Sequence, residues 1–170
     1  AGAVYERGAI KLLDDISRAY GERLGEVNRA AVDKVVSTVN RQLDFFGLKV
    51  ARAHCPADGQ FYYGIVNMRN DELAKKGTSL SEAQQAYFQR IKDHLIEKQK
   101  NQEGDSITWL EAENLRVELA SHLKLSMDEA DRTLETLVEQ MWLHKGAPDG
   151  DEDDLVLGPR SILQLQYAAA

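Results

Sequence analysis

Apolar residues recur at spacings of three and four in five stretches of this chain, and two further stretches read as hairpins. From Gly8 to Tyr20, Ile10, Leu13 and Ile16, with Leu12 beside them, predict an amphipathic helix. Gly21 and Gly25 punctuate the chain after it. A second helix is predicted from Asn28 to Phe46, with Val32, Val35, Val36, Val39, Leu43 and Phe46 as its inner stripe. Gly47 stands where a left-handed helix cap belongs. The half-apolar run from Leu48 to Ala53, the turn Pro56-Ala-Asp-Gly59 and the run "QFYYGIVN" from Gln60 to Asn67 then predict a β-hairpin. On a strand of period two, Phe61, Tyr63 and Ile65 share one face, expected to close the core. Tyr62, Gly64 and Val66 share the other, which puts Tyr62 outward as a partner anchor.

A polar stretch over 68–80 reads as a linker. Beyond it a third helix is predicted from Ser81 to Gln99, with Tyr87, Phe88, Ile91 and Leu95 inward. A fourth runs from Trp109 to Leu123 and a fifth from Met127 to Met141. Three starts carry a hydroxyl residue three positions before a glutamate: Ser79 and Glu82, Thr108 and Glu111, Ser126 and Glu129. That is the capping box, which satisfies unpaired N–H groups at a helix start. Trp142 to His144 and Leu155 to Leu157 read as a second hairpin, and Gly158-Pro159 opens a short last helix.

The two halves thus repeat one order, helices followed by a hairpin, which is that of a winged helix. The expected fold is α+β and mainly α: tandem winged-helix domains over 1–67 and 81–167. The first lacks its first helix, which is expected ahead of residue 1.

Composition narrows the function classes. Apolar residues make up 43% and charged residues 29% of the 170, a globular mix. No apolar run approaches the roughly 18 residues of a membrane span, so no membrane role is expected. The lone Cys55 allows no internal disulfide and suits a reducing compartment. The net charge of −7 comes from 28 acids and 21 bases. Five of the acids, Asp149, Asp151, Glu152, Asp153 and Asp154, sit in the second hairpin turn, and without them the balance is 23 to 21.

The predicted fifth helix carries Asp128, Glu129, Asp131, Glu135 and Glu139 against Arg132. A winged helix that reads DNA places this helix in the major groove and its wing along the phosphates, where each carboxylate is repelled, so the second unit, with its acidic wing tip, is a poor DNA reader. In the first unit Arg29, Lys34, Arg41 and Arg52 are the candidate DNA contacts, diluted by Asp33 and Asp44. Trp109, at the first position of its helix, is a second candidate anchor for a protein partner. His54, His94, His122 and His144 show no metal-ligand spacing, and His54-Cys55 is not a catalytic pair by adjacency alone. No phosphate loop, dinucleotide fingerprint or nucleophile elbow is present. The chain reads as having no catalytic residues and no cofactor of its own.

The run "AVDKVVSTVNRQLDFFGLKVARAHCPADGQFYYGIVN", followed by "EADRTLETLVEQMWL" and "LVLGPRSILQLQ", resembles the non-SMC element one family of the SMC five/six genome-maintenance complex. The resemblance runs from about Val4 to Gln166. It implies tandem winged helices followed by a zinc-binding RING-like domain, a MAGE-type partner subunit and a kleisin-type subunit. It also implies ubiquitin-ligase activity of the parent protein, DNA repair and recombination, and a nuclear location. A RING needs about eight Cys and His ligands. Cys55 alone cannot supply them, so the ligase module and its zinc are expected to be absent here. The leading expectation is a non-catalytic scaffold that docks a MAGE-type subunit; the alternative is a DNA-binding winged-helix regulator.

Overall fold

The computed structural model of the chain describes residues 2–21, 26–68, 80–146 and 151–167. The chain is mainly helical with small antiparallel sheets, and it divides into two compact units, Ala1–Asn70 with Ile162–Ala170, and Asp71–Ser161. The last helix, expected wholly with the second domain, starts there, but from Ile162 on its residues belong to the first unit. Most of the expected linker, 69–79, lies outside the described residues, as do Gly25 and 147–150 of the acidic turn.

The first unit opens with a strand absent from the sequence reading, β1 (Ala3–Tyr5). Helix α1 (Glu6–Ala19) and helix α2 (Arg29–Leu43) follow, then a 3₁₀ turn (Asp44–Phe46) and the hairpin β2 (Leu48–Cys55) and β3 (Gln60–Asn67). The sheet order is β1-β3-β2, all antiparallel. The Asn28 side chain caps α2 by accepting from the Ala31 N–H at 3.2 Å. The stripe predicted to reach Phe46 breaks at Asp44, and Phe46 is exposed. Gly47, at φ +67°, turns the chain into β2. The Asn40 side chain donates to the Val50 carbonyl (2.9 Å) and accepts from its N–H (2.7 Å), which satisfies the open edge of β2.

β3 departs from the expectation at Tyr62, Phe61 and Ile65, while Tyr63 is buried as expected. Tyr62, Gly64 and Val66 share a face with Ala51, Ala53 and Cys55, and this face is buried. Phe61 and Ile65 on the other face are exposed, while Tyr63 beside them is buried. Both faces are covered, which alternation along one strand could not reveal. On one side Tyr63 Oη donates to Asp33 Oδ1 of α2 (2.6 Å), and Arg52 pairs with Glu6 of α1 (2.6 Å). The other side meets the end of the chain. Leu163 lies so close to Gly64 that a Cβ there would stand 2.7 Å from its Cδ1. Gln164 Nε2 donates to the Asn67 carbonyl (3.2 Å), and Tyr167 Oη donates to that of Arg52 (3.1 Å).

The second unit holds α3 (Glu82–Lys100), α4 (Trp109–Asn114), α5 (Met127–Glu139), the hairpin β4 (Leu143–Lys145) and β5 (Leu155–Leu157), and the start of α6 (Pro159–Tyr167). Ile107, ahead of α4, forms a lone antiparallel bridge with Leu155. Helix, bridging residue, two helices and hairpin is the winged-helix order, and the first unit repeats it from its bridging strand β1 onward. The helix expected to reach Leu123 ends at Asn114 and gives way to 3₁₀ turns at Leu115–Glu118 and Ser121–Leu123. Apolar spacings of three suit either helix type, so the pattern did not separate them. Capping boxes are present at Thr108 with Glu111 and at Ser126 with Glu129. The third box is made by Ser81 with Gln84 at the start of α3, while Ser79 lies outside the described residues.

Helix α5 was expected to run to Met141 and ends two residues earlier. Met141 takes φ +64°, and the N–H groups of Met141 and Trp142 donate to the carbonyls of Val138 (2.9 Å) and Leu137 (2.8 Å). This is a Schellman closure built on a non-glycine residue.

Candidate partner-docking surface

The Thr108 cap sets the direction of Trp109. Thr108 Oγ1 accepts from the Glu111 N–H (3.1 Å), and Glu111 Oε2 accepts from the Thr108 N–H (2.7 Å). That backbone bond, against a smaller opposing effect of burial, holds the Glu111 carboxyl below the usual range. The indole then leans across to α5, where Nε1–H donates to Asp131 Oδ1 at 2.9 Å. Its ring, with Val138, Glu135, Glu139, Lys145 and Asp153, lines a groove of about 590 Å³. Lys145 Nζ lies 5.7 Å from the ring centroid and 2.7 Å from Asp153 Oδ1. Three carboxylates and an aromatic face against one already paired ammonium suit a cationic side chain from a partner, held by charge and by the ring quadrupole.

The other sequence candidates are dispersed. Tyr62, expected outward, is buried on the covered face and donates to Asp58 Oδ2 (2.5 Å), so it is not available as a surface anchor. Burial first, then Asp58, raises its phenol pKa; burial and Asp33 push that of Tyr63 up to about 12. Of the candidate DNA contacts, Arg52 pairs with Glu6 and stacks 3.6 Å over the Phe61 ring, and Arg29 pairs with Asp33 (3.3 Å). Arg41 Nη2 donates to Thr38 Oγ1 (3.4 Å), and both it and Lys34 are exposed on α2. The four do not form one free cationic patch, because acids close in space neutralise Arg29 and Arg52.

Cys55 and His54 point to opposite faces of β2, since their cross-strand partners are Gln60 and Phe61. Burial raises the Cys55 thiol to about 11, against the nucleophilic form. Among the described residues no three His, Cys, Asp or Glu side chains converge to hold a metal. The sequence reading missed Asp131 as the group that orients Trp109. It also missed the exposed Phe45 and Phe46 beside Gly47, whose rings meet edge to face at 5.3 Å. The adjacent aromatics ahead of a helix-ending glycine were the available signal.

A solved chain of the "Nse1-Nse3-Nse4 complex" has the same fold, with a TM-score of 0.79 at 21% identity, over 96% of this chain and 65% of that one. Proteins named "Non-structural maintenance of chromosomes element 1 homolog" from Xenopus laevis and Xenopus tropicalis are each 26% identical over 136 residues, 80% of this chain and 47% of theirs. The chain therefore spans about half the length of these curated relatives. The model of the family described as "Nse1 non-SMC component of SMC5-6 complex" matches residues 1–165. On that match, which runs through both units, the chain belongs to the Nse1 family of SMC5-6 complex components.

Proposed function

We propose that this chain is a non-catalytic docking scaffold of its SMC5-6 subunit, seating a MAGE-type subunit of the Nse3 kind and a kleisin-type subunit of the Nse4 kind in the nucleus. The family match over residues 1–165 carries the reading. The Trp109 groove supports it with a surface suited to a basic partner segment, and the internal pairing of Arg29 and Arg52 favours protein over DNA as the direct ligand. The RING, its zinc and the ubiquitin-ligase activity that the family resemblance implies are proposed for the parent polypeptide outside these residues.

The test is calorimetry of the purified chain with its cognate Nse3-type subunit. Wild type binds, and Trp109→Ala loses about 2 kcal/mol, roughly 30-fold in affinity. Absence of wild-type binding removes the docking role; equal binding by the variant keeps the partner and removes the groove. Duplex DNA binding tighter than about 1 μM at physiological salt would instead favour the DNA-reading alternative.

A further inference from the structure

Cations meet aromatic rings at several places among the described residues, and the distance depends on the cation. The guanidinium groups lie close: Arg52 is 3.6 Å over Phe61 and Arg160 is 4.0 Å over Trp142. The ammonium groups stand off, with Lys92 4.7 Å from Phe88, Lys49 5.0 Å from Tyr167 and Lys145 5.7 Å from Trp109. A flat, weakly hydrated guanidinium stacks on a ring and still offers N–H groups at its edge, whereas an ammonium is a compact, strongly hydrated charge. Arg52 does both at once: Nη2 lies 2.6 Å from Glu6 Oε2 while the guanidinium covers Phe61.

The Trp109 groove holds the same parts without the arginine. Its indole is fixed in advance, by the Thr108 cap at its base and by the Nε1–H bond to Asp131 (2.9 Å). Glu135 and Glu139, a turn apart on α5, line the groove and are exposed. Neither makes an ion pair among the described residues. Lys145, at the end of β4, is the cation at hand, and it makes the longest of these ring contacts. Its bond to Asp153 (2.7 Å) joins a lysine side chain 48% exposed to a carboxylate side chain 81% exposed. An ion pair so open to water contributes little and separates easily.

We infer, resting on the docking role proposed above, that the groove is an arginine site and that Lys145 holds its place. An arginine from a partner's basic segment displaces the ammonium from the Trp109 face, stacks on the indole and pairs with Glu135 and Glu139. A partner's lysine would only repeat the loose contact that Lys145 already makes, so the exchange would gain nothing. Arginine adds close stacking and two parallel N–H bonds to one carboxylate. The displaced Lys145 keeps Asp153 beside it on the exposed hairpin, so its release leaves no charge buried and unpaired.

The test follows the Trp109 Nε1–H signal in NMR spectra of the chain, assigned by its loss in Trp109→Phe. Peptides of Gly-Arg-Ser repeats and of Gly-Lys-Ser repeats, equal in length and charge, are titrated into wild type, Lys145→Met and Lys145→Arg. Position 145 is exposed, so both variants keep the fold. The arginine peptide is expected to bind wild type about fivefold or more tightly than the lysine peptide. Lys145→Met is expected to tighten arginine-peptide binding by about threefold to tenfold. Lys145→Arg, which keeps the charge and stacks better, is expected to weaken it by about threefold or more. Equal binding of the two peptides, or an indole signal that neither moves, overturns the arginine site. A Lys145→Arg chain that binds like wild type overturns the role of Lys145, because a lysine that merely repels basic peptides is indifferent to that exchange. Failure to bind the cognate Nse3-type subunit, with the peptide responses as expected, supports the arginine site and removes only the docking partner.

Discussion

Gly64→Ala tests the placement of the chain's last residues over the first sheet. The new Cβ would stand 2.7 Å from Leu163 Cδ1 and 3.0 Å from the Gly2 carbonyl oxygen, where ordinary contact starts near 3.4 Å. Leu163 is 1% exposed and has little room to swing aside, and the Gly2 oxygen is backbone next to β1. In an open strand the same change would help by about 0.5–1 kcal/mol through the unfolded chain. Here overpacking dominates, and a net loss of about 2 kcal/mol is expected. Leu163→Ala alone removes a buried side chain and costs about 2–5 kcal/mol. The double variant separates this geometry from simple strand damage, because truncating the leucine vacates the space that the new methyl group on β3 needs. Its loss should fall short of the sum of the single losses by about 1 kcal/mol or more. Urea denaturation followed by circular dichroism gives the totals, and hydrogen exchange at the β3 amides assigns them to the first unit. Strict additivity, within about 0.3–0.5 kcal/mol, would refute the contact and with it the covering of this sheet face.

Trp142 is half-buried, with the Phe88 ring centroid 5.5 Å away and the Arg160 guanidinium 4.0 Å over its face. Trp142→Ala should cost about 3 kcal/mol, at the low end for a core aromatic, and an unchanged melting temperature would place the ring off the core. Thr108→Ala and Ser126→Ala should each cost about 1 kcal/mol in thermal or chemical denaturation. The Glu111 carboxyl titrates lower folded than unfolded, so its contribution is present above the ordinary glutamate range and lost as pH falls through the folded value. The stability gap between wild type and Glu111→Gln should therefore close on acidification below about pH 4, which a pH series of melting curves reads. Cys55, buried with its thiol raised to about 11, should resist thiol reagents at about pH 8 in the native chain and react at once in denaturant.

Local physics was legible in the sequence wherever one segment carried the whole signal. The stripe of α3, the caps at Thr108 and Ser126, the first hairpin turn and the order of elements follow from spacing and short-range hydrogen bonding, whereas of the stripe expected on α2 only Val32 is buried and Val35 and Phe46 are exposed. The acidity of the surface around α5, which makes the Trp109 groove suited to a cation, was also visible in the chain. Which face of a strand is covered was not. Tyr62 went inward because Leu163, Gln164 and Tyr167, from the far end of the chain, cover its sheet. Strand alternation states only that two faces differ. The same limit hid β1, whose three residues acquire a strand's identity only by pairing with β3. It also hid the Asp131 that turns Trp109 toward the groove and the acids that occupy Arg29 and Arg52. Such partners lie on other turns and other elements, and burial and charge are settled by what the folded chain brings within a few ångströms, not by what stands beside a residue in order.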